Sequence, residues 1–333
     1  MRKVLLLLIS VVVLGSCKQT NQDQANENRV VTKEAKSDSA YEALVRKNSS
    51  QFHKNFSAGR FTDNGPLTTE DIYVNSNGKI VVGRDKFVGR LTRYEKPFPG
   101  LEVNDRIMIV DGNIVAFHYL MQATHLGKFG DLEPTGNKVE AMSSEFFTMD
   151  ENGLMKDLIT ISQVDKFLAT ASGEEHIEEH QKVTLYPIDH SVPKAVTKKA
   201  ADLYLRHFNF RDWDAISELL SDDVQANWNS NHVSGKEAVI EKMKERLTPF
   251  PDLTYQLDRS AAEGNRAAIG YTLHGTHNGL FTYKGKNYPA SGNAVQTREV
   301  QHLEVSADGK IKSIIMMSDQ GAFLKFIDAK KSK

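Results

Sequence analysis

Pro249-Phe250-Pro251-Asp252-Leu253, closing at Gly275-Thr276-His277-Asn278-Gly279, is the stretch that decides the fold, because the chain contains it twice. At an offset of 152 positions, Pro97-Phe98-Pro99-Gly100-Leu101 opens a stretch that closes with Ala123-Thr124-His125-Leu126-Gly127. The same offset pairs Phe61 with Trp213, Asp71 with Asp223, Asn75 with Asn227 and Gly83 with Gly235. Further on it grows to 156, matching Gly136-Asn137 with Gly292-Asn293, Gly153 with Gly309 and Phe167-Leu168 with Phe323-Leu324. The four extra residues fall around Tyr283-Lys284-Gly285-Lys286, a loop-like stretch that tolerates insertion. Self-similarity at a fixed spacing reads as a duplicated module. Two copies are too few for a solenoid, so each needs a core of its own.

Both copies run helices first and strands afterwards. In the first, 40–56 and 84–94 carry apolar residues at helical spacing, with Pro97 and Pro99 stopping the second helix. A short helix running into a strand is expected over 67–74, and four strands over 101–110, 114–125, 139–149 and 154–164. The second copy repeats the pattern: helices over 194–210, 213–220 and 236–247, then strands over 253–262, 266–279, 294–306 and 310–318. Asp308-Gly309 is a strong hairpin-turn signal. Helices followed by an antiparallel meander indicate α+β domains. The expected segmentation is 40–169 for the first repeat, 170–193 for a connector and 194–329 for the second repeat.

The amino terminus reads differently. Met1-Arg2-Lys3, an apolar run from Val4 to Leu14, and a small-residue site make a secretory signal over 1–16, too short to span a bilayer. Leu14-Gly15-Ser16-Cys17 resembles the bacterial lipobox, which implies cleavage before Cys17 and lipid on that residue. Cys17 is the chain's one cysteine, so no disulfide framework and no Cys-based metal site is available. Several acyl chains anchor stably, so the expectation is a lipid-anchored protein of the bacterial cell envelope. Lys18 after the cysteine favours the outer membrane by analogy with bacterial sorting. Residues 17–39 are polar and read as a disordered tether. With 42 Lys and Arg against 43 Asp and Glu, the charge gives no reason to expect nucleic acid as a partner.

The connector holds His176-Ile177-Glu178-Glu179-His180, which fits an H-x-x-E-H metallopeptidase pattern if helical. No third ligand accompanies it, and the plain reading is a charged, solvated linker. No metal is expected.

The second repeat carries a more specific signal. Phe250-Pro251-Asp252-Leu253, Gly275-Thr276-His277-Asn278-Gly279, Asp308-Gly309-Lys310-Ile311 and then Asp319 occur in this order. This resembles the SnoaL-like polyketide cyclases, also called ester cyclase-like proteins, over Lys199 to Phe326. Tyr41 to Leu168 matches more weakly. The resemblance implies the nuclear transport factor 2-like fold, a cone-shaped α+β domain whose curved antiparallel sheet wraps around N-terminal helices. It also implies that the two repeats pair within the chain as a pseudo-dimer, and that no metal or organic cofactor is used.

In that family an acid near the end of the last strand is the general acid/base of an aldol closure, which puts Asp319 in the catalytic role. His277 matches the Gly-Thr-His motif and would position substrate, although a hydrogen bond to a neighbouring loop explains it equally well. On the third strand Glu299 and Gln301 share a face that turns polar at one end, with Ser143 and Glu145 as counterparts, which suits a small-molecule pocket. Trp228 and Tyr271 are candidate walls. Gln163 stands where Asp319 stands in the second copy, and an amide cannot exchange protons. The first repeat therefore reads as a degenerate copy that retains His125 and Glu145. Two functions remain open: a cofactor-independent acid–base enzyme, cyclase- or isomerase-like, on a small apolar carbonyl compound, or a lipoprotein that only binds a small molecule or a protein.

Overall fold

In the computed structural model the described residues are 21–328, with side chains described from residue 39 onward except at position 320. The expected signal peptide and Cys17 lie outside them. Residues from Tyr41 on form one unit that holds both repeats. Helix α1 (Asn21–Ser57) takes in residues that the sequence reading assigns to a disordered tether. Neither Pro nor Gly stands between Lys18 and Ala58, so nothing in that run stops a helix.

The first repeat continues with a 3-10 segment (Phe61–Leu67), β1 (Thr68–Ser76), β2 (Lys79–Val82), α2 (Arg84–Leu91), β3 (Glu102–Asp111), β4 (Ile114–Thr124), β5 (Lys138–Met149), β6 (Met155–Ser162) and α3 (Val164–Ser172). The second has α4 (Lys194–Phe210), α5 (Trp213–Leu219), β7 (Leu220–Trp228), β8 (Asn231–Ser234), α6 (Lys236–Glu245), β9 (Thr254–Glu263), β10 (Arg266–Thr276), β11 (Phe281–Tyr283), β12 (Lys286–Tyr288), β13 (Ala294–Val305), β14 (Ile311–Ser318) and α7 (Gln320–Ile327). The four-residue insertion is the β11–β12 hairpin, turned by Lys284 and Gly285 at φ 47° and 72°.

The sheets share one topology, β2-β1-β6-β5-β4-β3 and β8-β7-β14-β13-β10-β9. Both are mixed: β1 runs parallel to β6 and β7 parallel to β14, while the other pairs are antiparallel. The resemblance led us to expect antiparallel sheets throughout. The parallel pair joins strands some eighty residues apart, which local periodicity does not report. Helices α3 and α7 are likewise unforeseen, because Gln163 and Asp319 read as strand ends and are helix N-caps instead.

The sheet of each repeat curves around that repeat's own helices. Val45 and Phe52 of α1 and Phe87 of α2 pack on Phe117 and Phe147 in the first repeat. Tyr204 and Phe208 of α4 pack on Tyr255 and Tyr271 in the second. The opposite faces of the two sheets meet. Ile107, Ile109, Leu120, Phe146 and Ile161 pack with Ala261, Ala268, Val300, Ile315 and Met317 in one cluster. Apolar residues on both faces explain why β4 and β10 are buried along nearly their whole length. Gly270 is required there: a Cβ on it would stand 2.9 Å from Cε2 of Phe146.

Several polar groups in this contact are paired. Arg259 Nη1 donates to Asp157 Oδ1 at 2.6 Å and to Thr148 Oγ1 at 3.1 Å. Ser144 Oγ lies 3.1 Å from both His118 Nδ1 and His302 Nε2. Burial pushes His302 down to about 3 and His118 well below 6.5, so both rings stay neutral at ordinary pH. The connector crosses the contact with Tyr186, whose ring centroid is 4.8 Å from the Arg106 guanidinium and 5.5 Å from that of Arg266. Residues 176–180 are not helical, so the two histidines of the H-x-x-E-H pattern share no helix face, and His180 Nδ1 sits 3.1 Å from Glu140 Oε1.

Candidate functional site

Each cone holds one buried carboxylate on its third long strand, with a tyrosine hydroxyl donating to it from the neighbouring strand. Tyr119 of β4 donates to Glu145 Oε1 at 2.7 Å, and Tyr271 of β10 donates to Glu299 Oε2 at 2.9 Å. The two acids sit at different depths. Ser143 and Glu145 of β5 stand where Glu299 and Gln301 stand in β13, since Tyr119 pairs with Ser143 while Tyr271 pairs with Glu299. The acid has moved by one pleat, two residues, along the strand.

The cation moves with it. In the first cone His53, on α1, reaches Glu145 Oε2 with Nε2 at 3.2 Å and Asp105 Oδ1 with Nδ1 at 2.6 Å. Its ring is boxed by Phe117, Tyr119 and Phe147 at centroid distances of 4.2, 5.0 and 5.8 Å. Burial by itself would lower the imidazole pKa. Asp105 first, then Glu145, outweigh burial and lift it from 6.5 to about 9, so His53 is an imidazolium that donates from both nitrogens. Thr160 Oγ1 donates to Glu145 Oε1 as well, at 2.9 Å. His53 is 4% exposed, but the Asp105 side chain is 33% exposed. Asp105–His53–Glu145 is therefore a continuous hydrogen-bonded path from solvent to a buried carboxylate. It borders a cavity of about 90 Å³ lined also by Phe87, Arg90, Leu91, Tyr94 and Met121.

In the second cone the cation is Arg246, the C-cap of α6. Its Nη2 donates to Glu299 Oε1 at 2.6 Å, and its Nη1 lies 2.8 Å from Met316 Sδ. Burial lowers and Glu299 raises its pKa, and the net effect is upward, so the guanidinium stays charged. Gln301 Nε2 donates to the Tyr271 hydroxyl at 2.6 Å, which fixes that hydroxyl toward Glu299. The cavity above this pair has a volume of about 190 Å³, with Trp228, Phe250, Leu273, Phe281, Met316 and Phe323 as walls and Lys242 and Arg246 on one side.

The sequence-derived candidates fall into three groups. Glu145 borders the first cavity, and Trp228 and Glu299 the second. Tyr271 and Gln301 are buried beneath Glu299 as its hydrogen-bond support. The remaining four lie elsewhere. Asp319 does not line a cone: it caps α7, with Oδ1 accepting from Ala322 N at 3.1 Å and Oδ2 from Asn77 Nδ2 at 2.8 Å, in a polar cleft between the repeats. Its position at the strand end is as expected, but the chain turns into a helix there and the side chain faces the cap. Gln163 caps α3 beside the same cleft. His277 and His125 are fully buried, and each holds a loop, to Ser291 Oγ and Thr135 Oγ1 respectively, both at 3.1 Å. Burial lowers the His277 pKa. Among the described residues no group of three or more His, Cys, Asp or Glu is arranged to hold a metal ion.

Sequence reasoning missed His53, Asp105, Lys242 and Arg246. A usable signal exists in the repeat itself. At the 152 offset His53 faces Leu205 and Tyr94 faces Arg246, so each copy places a base where the other has none.

Two family descriptions match the chain: residues 47–157 match "SnoaL-like polyketide cyclase" and residues 201–314 match "SnoaL-like domain". Similar solved structures include a putative SnoaL-like polyketide cyclase from Jannaschia sp. CCS1, at 22% identity over 43% of this chain and 99% of that one, TM-score 0.38. Others are a putative polyketide cyclase from Xanthomonas campestris pv. campestris (22%, 40% and 98%, TM-score 0.35) and a putative ketosteroid isomerase from Kribbella flavida (20%, 39% and 82%, TM-score 0.31). No curated protein sequence matches the chain significantly.

Proposed function

For a chain that carries two SnoaL-like domains, domains that point to a small-molecule enzyme or binder, we propose acid–base catalysis on a small, largely apolar carbonyl compound in the cone of the first repeat. The observation that carries this is the Asp105–His53–Glu145 path, at 2.6 and 3.2 Å, ending in a cavity that pairs apolar walls such as Phe52, Phe87, Leu91 and Met121 with a few polar groups. Glu145 takes a proton from the carbon beside the carbonyl. The bond's electrons move to the carbonyl oxygen, towards Tyr94 and Arg90, which line the same cavity. Protonated Glu145 then returns that proton to the substrate or gives it to water in the cavity, while the imidazolium beside it, held by the partly exposed Asp105, restores the ionised carboxylate between turnovers. Removal of water from around a positioned acid–base pair is what gives such a group its effect. This moves the chemistry from the second repeat, where the sequence put it, to the first. No metal or organic cofactor is part of the proposal.

The test is proton exchange, which needs no knowledge of the natural substrate. The full chain is incubated in D₂O with ketones from acetone to cyclohexanone, and deuterium uptake is followed by NMR. Wild type should exchange faster than buffer, Glu145→Gln should fall to the buffer rate, and Asp319→Asn should match wild type. Equal rates for Glu145→Gln and wild type would refute the assignment. A binding-only reading draws on the three donors already committed to Glu145; saturable ketone binding without exchange would establish it. The proposed setting is the bacterial envelope through lipid on Cys17, which Cys17→Ala should abolish in a membrane-fractionation assay.

A further inference from the structure

The second cone lacks the features of a proton-transfer site and has those of an anion-binding one. Both Glu299 oxygens are engaged, one by Arg246 and one by the Tyr271 hydroxyl, and Glu299 is 1% exposed. Both Glu145 oxygens are engaged as well, but by a titratable imidazole linked to Asp105, whereas the partner of Glu299 is a guanidinium that stays charged. The acid there neutralises and orients the guanidinium. Arg246 has five N–H donors; its hydrogen-bond partners are Glu299 and Met316, and its guanidinium lies 5.7 Å from the Tyr255 ring centroid. Its side chain is 20% exposed and borders the cavity. Lys242, one turn earlier on α6, borders the same cavity, with its ammonium 2.5 Å from the exposed Glu245. Apart from these cations, Glu299, Asn231 and Ser318, the walls are apolar or aromatic side chains. At about 190 Å³ the space exceeds the roughly 150 Å³ of an apolar cavity that accepts benzene.

From this geometry we propose that the second cone is a binding site for a compact apolar carboxylate, a single ring or short branched chain, whose carboxylate meets Arg246 and Lys242 while its body fills the space between Trp228, Phe250, Leu273 and Phe323. A planar guanidinium braced by a buried acid presents its remaining donors in the fork that carboxylates accept. The first cone keeps a cation at the Lys242 position, Arg90, but has no equivalent of the braced guanidinium, because Tyr94 stands at the Arg246 position. The inference is independent of the chemistry proposed there.

The chain has two tryptophans. In full chain carrying Trp213→Phe, Trp228 is the remaining one and forms part of the cavity wall. Benzoate is titrated against benzamide, its neutral isostere, while Trp228 emission is recorded. Benzoate should produce a saturable change and bind at least about tenfold more tightly than benzamide. Lys242→Gln should weaken benzoate several-fold with benzamide unchanged. The double variant Arg246→Gln/Glu299→Gln, which strands no charge, should bind the two probes equally. Equal binding of both probes by the parent, or no saturable response to benzoate up to about 10 mM, would overturn the proposal. A preference for benzoate that survives in a folded double variant would do the same.

Discussion

The most exposed consequence of the first cone is a loss of stability on the alkaline side of neutrality, caused by one side chain. His53 has a pKa near 9 in the folded protein and 6.5 when free. Between those values the folded chain binds a proton that the unfolded chain releases, so stability must fall as pH rises. The contribution is complete below 6.5 and gone above about 9. Each tenfold change in proton affinity is worth about 1.4 kcal/mol, which makes the full effect roughly 3 kcal/mol. The window is free of the other large shifts. His118, His277 and His302 are displaced downward and act below 6.5, while Tyr119 and Tyr271 are displaced upward and act above 10. Urea unfolding at successive pH values across the window should show the midpoint falling in wild type. His53→Gln should be less stable at the low end and flat across it, because Asp105 and Glu145 lose the cation in one state only. A flat wild-type profile, or the same slope in His53→Gln, would refute the imidazolium assignment and with it the ion pair at Glu145.

Three further outcomes follow from the packing. Asp319→Ala should cost about 1 kcal/mol through the lost cap on α7, with ketone exchange unchanged, as thermal melts and the D₂O assay can show together. Phe146→Ala should cost roughly 3–5 kcal/mol, because Phe146 is buried between the two sheets against Gly270; urea unfolding measures it, and a cost below 1 kcal/mol would contradict that packing. On the acid side, stability should fall as pH drops from 6.5 toward 3, since the unfolded chain protonates His302 while the folded one resists. A His302→Gln variant should lose that part of the slope.

The contrast between the two cones is a relation between elements. Moving the acid by one pleat, from the level of position 299 to that of position 145, shifts it along the strand on the same face. In the second cone the acid meets a base on α6, and in the first a base on the first helix. Arg246 and Glu299 form one solution, His53 and Glu145 the other. Only the second leaves a route to solvent, because Asp105 stands on β3 with its side chain partly exposed. The sequence reading followed the family motif to Asp319 and so looked at the strand end, where an aspartate before Gln320-Gly321 serves as well for a helix cap as for a site.

The repeat, its two offsets, the order of helices and strands, and the α+β class are determined by the sequence alone. Duplicated spacing and hydrophobic period are local properties, and they survive without knowledge of what packs on what. Strands β3 to β6 and β9, β10, β13 and β14 lie within a few residues of their expected limits for that reason. The parallel β1–β6 and β7–β14 pairs, the burial of both sheet faces, and the meeting of His53 with Asp105 and Glu145 were decided by the tertiary structure. Those three residues stand far apart along the chain and share no period. A carboxylate becomes a candidate base through the groups that surround it and the water that does not, and neither is written next to it in the sequence.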